Sequence, residues 1–125
     1  MITATHIDTA YAELRSAMRT HQEWAQLLAE AKYELETTKR QGLANGTIEG
    51  KNPEMREAAA QQMLSAHYAV VAELESAVEK AQLVLDLAKL EVERIRLHLR
   101  YQEVTLLAAS SAIARQALSA EVAHA

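Results

Sequence analysis

Apolar residues recur at alternating steps of four and three from Ala60 to Ile113: Ala60, Leu64, His67, Val71, Leu74, Val78, Ala81, Leu85, Ala88, Val92, Ile95, Leu99, Gln102, Leu106, Ala109 and Ile113. This is the a/d seam of a helix built to pack along another helix. His67 and Gln102 are its polar members, and neither Gly nor Pro interrupts it. The pattern predicts one long helix over about residues 53–122.

A second, weaker seam precedes it. Ile7, Tyr11, Leu14, Met18, His21, Ala25, Leu28, Lys32, Leu35 and Lys39 keep the same alternation, and Trp24, Leu27 and Ala31 widen the apolar side. Thr5-His6-Ile7-Asp8 fits a capping box. Glu36 with Lys39 and Arg40 offers favourable pairs near the far end, where cations also suit the helix dipole. Gly42 is the expected left-handed cap, with Leu43 packing back on the last turn. A first helix over about residues 5–42 follows.

The segment 43–52 carries Gly46 and Gly50, and the single proline, Pro53, comes directly after it. Asn45-Gly46 is a strong turn signal. Asn52-Pro53-Glu54 reads as N-cap, Pro at the first helical position and an acid in the first turn. So short a loop returns the chain antiparallel. The predicted fold is all-α: an antiparallel two-helix coiled-coil hairpin forming a single helical domain.

Folding about the loop centre sets Leu28 near Ala69, Leu14 near Leu83 and Ile7 near Leu90. At ~1.5 Å per residue the first helix is roughly 57 Å long and is used up around Ile95. The long C-terminal helix then overhangs it by about 25 to 30 residues, roughly 40 Å. From Leu83 onward a second stripe joins the first: Leu83, Leu87, Leu90, Leu97, Tyr101, Val104 and Ala108. Two seams on one helix call for two neighbours. A bare face holding Leu97, Leu99, Tyr101, Val104, Leu106 and Leu107 exceeds what a monomer tolerates. Two outcomes are open. Either the overhang pairs with other copies, as a homodimer or homotetramer, or the chain bends near residues 108–111 and a short third helix, capped by Ser110 or Ser111, folds back. The first predicts an oligomer interface of Leu83, Leu87, Leu90, Leu97, Leu99, Tyr101, Val104, Leu106 and Ile113.

Composition agrees with close-packed helices. Half of the 125 residues are hydrophobic, aromatics make up 4%, and Phe is absent. The net charge of -4 gives no overall pull toward nucleic acid or an anionic membrane. Cysteine is absent, which excludes disulfides, thiolate metal sites and a Cys nucleophile. No leader pattern opens the chain, and no apolar run approaches the ~20 residues of a membrane span. Asn45-Gly46-Thr47 matches a glycosylation sequon but reads as a turn. The expected compartment is the cytoplasm of a bacterium or a phage-infected host.

Candidate chemistry is sparse. His21 and His67 lie on seams of different helices, too far apart in the hairpin register to share an ion, and zinc needs at least three converging ligands. Seam polar residues of this kind set register. Lys89, Arg94, Arg96, His98 and Arg100 form a basic band, with Arg115 further on. Interleaved Glu91, Glu93 and Glu103, and the i,i+4 pair Lys89–Glu93, make it mostly a solvated face. Lys89, Arg94, Arg96 and Arg100 remain the candidates for contact with nucleic acid or an acidic partner. Glu73, Glu75 and Glu79 would need a desolvated cleft for acid–base work. No serine has a Gly-x-Ser-x-Gly setting, and no phosphate-binding glycine pattern occurs. The sequence therefore predicts no catalytic, cofactor-binding or metal-binding residue.

Asn52 at a helix start, beside Lys51, could hold an anion, although a turn with an N-cap accounts for nearly all of this loop. Gly50-Lys51-Asn52, followed by Glu54 and Arg56 and then a charged heptad helix, resembles a group of small helical proteins of phages and prophages. That group carries a Gly-(Lys/Thr)-Asn-x-Glu-x-Arg turn between two coiled-coil helices, and the likeness covers residues 45–100. The resemblance implies a phage context near replication or recombination genes, and it transfers no catalytic residue. Together these readings predict a non-enzymatic coiled-coil interaction or scaffolding protein, with itself and another protein as partners. The alternative is an accessory nucleic-acid-binding protein.

Overall fold

The computed structural model describes residues 1–124. These are helical without a strand: α1 (Ala4–Ala44), α2 (Pro53–Met63) and α3 (Ser65–His124). Two compact units divide them, one of Arg15–Leu87, and one of Met1–Leu14 together with the chain from Ala88 onward.

In the Arg15–Leu87 unit the buried side of α1 is built from Ala17, His21, Ala25, Leu28, Ala31 and Leu35, each buried or half-buried. The expected seam residues Met18 and Lys32 are exposed, as are Trp24 and Leu27. Alanine wins because neighbouring positions on a helix lie only ~100° apart and a small side chain lets the facing backbone come close. Opposite them, α2 and α3 bury or half-bury Ala60, Leu64, His67, Val71, Leu74, Val78, Ala81 and Leu85, the seam in full. Register differs from expectation. Lys32 reaches Glu75 at 3.8 Å, further along than a fold about the loop centre allows.

Next to the loop the expected register holds, with Lys39 paired to Glu57, so the shift arises after Glu57. The loop departs from expectation in its capping. Gly42 does not cap α1 but lies inside it. Ile48 folds back over Gly42, donates its backbone N–H to the Gly42 carbonyl at 2.9 Å and is buried. A Cβ on Gly42 would stand 2.6 Å from Ile48 Cδ1, so Ile48 holds the place expected for Leu43. The left-handed residue is Gly46, at φ 78°. Asn45 Oδ1 accepts the Thr47 backbone N–H at 3.0 Å, closing the turn. Asn52 then caps α2: its Oδ1 accepts the Met55 N–H at 2.8 Å, with Pro53 and Glu54 in the first turn.

The single long second helix is in fact two, parted at Leu64, where φ is -107° and ψ is 28°. Neither Gly nor Pro stands there, and the parting accompanies a set of side-chain contacts. Glu57 accepts a hydrogen bond from the Tyr68 hydroxyl at 2.9 Å and is ion-paired with Lys39 of α1. Eleven residues of straight helix would hold residues 57 and 68 about 16.5 Å apart, beyond the combined reach of the two side chains. Parting the helix at Leu64 closes that gap. Leu64 keeps both of its own backbone bonds: its N–H donates to Ala60 O at 2.8 Å, and its carbonyl accepts the Tyr68 N–H at 3.0 Å.

In the other unit, Thr3 and not Thr5 starts α1. Thr3 N–H donates to His6 Nδ1 at 3.2 Å and His6 N–H to Thr3 Oγ1 at 3.3 Å, a reciprocal cap. Ala10, Val92 and Ile95 form the core, with Ile2, Ile7, Tyr11, Leu14 and Leu99 packed against it. The Arg96 Nε–H donates to the Tyr11 hydroxyl at 3.2 Å. The buried side of α3 here is Ala88, Val92, Ile95, Leu99 and Gln102. Cover thus reaches Gln102, not merely Ile95. Nor does the chain bend near 108–111: α3 continues unbroken to His124, because Ala-rich flanks favour helix and no residue there interrupts the ladder.

Candidate functional site: the exposed apolar side of the third helix

Beyond Gln102 the hydrophobic pattern continues and burial does not. Every residue from Glu103 to Ala123 is exposed. Leu106 at 64% and Ile113 at 66% exposure repeat the steps of the seam that buries Val92 and Ile95 at 5% and 3%. Around the helix from them, Leu97, Tyr101, Val104 and Leu107 are each more than half exposed, and Leu118 and Val122 carry apolar surface on toward the end. Leu90 is exposed in this unit, and Leu83 and Leu87 are exposed in the other. Leu99 differs from the rest of the expected interface, being half-buried against the Ala10–Val92–Ile95 core.

The basic band is partly consumed within the chain. Arg94 forms a two-pronged pair with Glu91, Nε to Oε2 at 2.9 Å and a terminal nitrogen to Oε1 at 2.7 Å. That bond lowers the Glu91 pKa and raises that of Arg94. Arg96 is tied to Tyr11. Among the described residues Lys89 and Arg100 make no ion pair, and the expected Lys89–Glu93 pair is not formed. Arg96, Leu99, Arg100, Glu103, Val104 and Leu107 line a shallow groove along the side of α3, open to solvent.

The strongest polar cluster lies elsewhere and was not foreseen. The hydrogen bond to Lys39, with a second from Tyr68, holds the Glu57 carboxyl below its ordinary pKa. The same contact with Glu57 raises Lys39, and burial, aided by the bond to Glu57, raises Tyr68. A link between positions 39, 57 and 68 leaves no periodic trace, so no local signal announces it. Glu75 of the predicted acidic patch is paired with Lys32. His21 and His67 are half-buried in their seams, and among the described residues no group of three His, Cys, Asp or Glu could hold a metal ion. No helix within them is long and apolar enough to cross a membrane.

Gly50 and Asn52 lie just before α2, and Glu54 and Arg56 lie in its first turns. A Cβ on Gly50 would lie 2.6 Å from the Arg56 backbone nitrogen, and Arg56 N–H donates to the Asn52 carbonyl at 3.1 Å. Glycine and asparagine here serve the turn, and the Asn52 side chain is spent on Met55. Compared with family models, curated proteins and solved structures, the chain matches none.

Proposed function

We propose that this chain is a non-enzymatic helical interaction protein of phage or prophage origin, an antiparallel coiled-coil hairpin that self-associates through the C-terminal part of α3. One observation carries the reading: the apolar repeat outlasts its cover, leaving Val104, Leu106, Leu107, Ile113, Leu118 and Val122 more than half exposed. Each such side chain gains about 1.5–3 kcal/mol when fully buried. Several buried together from both copies offset an association cost of about 4–15 kcal/mol. As an oligomer the protein scaffolds or blocks another protein through its ends. Solution mass by light scattering at tens of micromolar tests this. A dimer or tetramer is expected, and a monomer overturns it.

The nucleic-acid reading draws less support, since Arg94 and Arg96 are engaged within the chain, which leaves Lys89 and Arg100. Retention on DNA at ~50 mM salt that falls steeply as salt rises would restore it. Its absence is the expected result.

A further inference from the structure

The turn of Asn45, Gly46 and Thr47 carries chemistry that the helical architecture does not use. Asn45 follows the last residue of α1, and its backbone N–H donates to the Gln41 carbonyl at 3.0 Å. Its side-chain Oδ1 accepts the Thr47 backbone N–H at 3.0 Å and also the Thr47 hydroxyl. Gly46, between them, has φ 78° and, among the described residues, donates its own N–H to no partner. A Cβ there would meet nothing within 4 Å, and all three residues are exposed to water. An amide carbon thus stands one residue before an unhindered, unpaired backbone nitrogen. We infer that this turn modifies itself: the Gly46 nitrogen attacks Asn45 Cγ, and with the help of Thr47 the folded protein converts Asn45 to aspartate and isoaspartate.

The Gly46 N–H gives its proton to water as the N–Cγ bond forms, and the carbonyl electron pair moves onto Oδ1. Both Thr47 donors are already bound to that oxygen, where the negative charge grows. When the pair returns, the Cγ–Nδ2 bond breaks and Nδ2 leaves as ammonia with a proton from water. A succinimide ring remains, and water opens it at either carbonyl. Breaking N–Cγ gives aspartate. Breaking the bond from the Asn45 backbone carbonyl carbon to the Gly46 nitrogen gives isoaspartate, with the chain now running through Cβ and Cγ. The net reaction consumes one water and releases one ammonia, with nothing oxidised or reduced. Either product places a carboxylate at the negative end of the α1 dipole, where the last turn holds no base. Isoaspartate also lengthens the backbone between Gly42 and Ile48, whose contact closes the loop. Conversion therefore loosens this end of α1.

The test keeps the full-length protein in neutral buffer, digests samples at intervals and follows the peptide holding Asn45 by mass, with enzymatic methylation counting isoaspartate. Parallel samples are Thr47→Ala and both chains unfolded in guanidinium. The peptide should gain the mass difference between an amide and an acid, and isoaspartate should accumulate. Thr47→Ala should slow this several-fold in the folded protein and leave the unfolded rate unchanged. Thr47 is exposed and its side chain bonds only within the turn, so the variant should keep its helical circular dichroism. An Asn45 that stays unconverted in the folded protein overturns the inference. So does a Thr47→Ala rate equal to or above the parent's, or a slowing that is the same in guanidinium.

Discussion

At the scale of single residues the protein depends on a few tertiary contacts near the loop. Glu57 has a depressed pKa because Lys39 and Tyr68 bond its charged form. Its contribution is therefore complete above the ordinary carboxylate range and is lost as pH falls through the depressed value. Lys39 is raised, so its share is present at neutral pH and is lost as pH rises through its folded value above 10.5. Glu57→Gln should flatten the acid limb of a plot of thermal midpoint against pH, and an unchanged limb would show that the cluster contributes nothing. Tyr68→Phe removes one hydrogen bond to a carboxylate and should cost about 1 kcal/mol in denaturant unfolding. Gly50→Ala should cost more than Gly46→Ala. A new Cβ at position 50 meets backbone atoms at 2.6 and 2.9 Å, which cannot turn aside. At position 46 it meets open space and only the strain of a positive φ, about 1 kcal/mol or somewhat more.

At the scale of elements, α3 behaves differently on either side of Gln102. Ile95 is 3% exposed, and Ile95→Ala should lower unfolding free energy by about 2–5 kcal/mol. Ile113→Ala alters a side chain of the same type at an exposed site, so its effect on a dilute monomer should stay within about 0.5 kcal/mol. The effect should grow with protein concentration, since the proposed contact forms only between copies. Equal costs at both positions in dilute solution would contradict the exposed placement of Ile113. The parting of α2 from α3 at Leu64 is the geometry that lets Glu57 reach Tyr68. Removing the Glu57 carboxylate should straighten the helix there, seen as altered exchange of the amides around Leu64.

At the scale of the whole molecule, the proposed self-association would link stability to concentration. A folded chain that assembles has a thermal midpoint that rises with protein concentration, and a midpoint constant over a hundredfold range would argue for a monomer. Periodicity alone determined that the chain is helical, where its long runs lie and which residues of the second seam turn inward. Every position from Ala60 to Gln102 at that spacing is buried or half-buried, since a repeat of 3.5 places one face against a neighbour whatever the neighbour is. The N-cap at Asn52 was legible for the same local reason. Only the tertiary structure decided the rest. It chose Ala17 and Ala31 over Met18 and Lys32, moved the cap to Thr3, put Ile48 over Gly42, parted the helix at Leu64 and ended the cover at Gln102. Each depends on what a side chain meets from a distant part of the chain, and spacing along one helix carries no record of how far its neighbour extends.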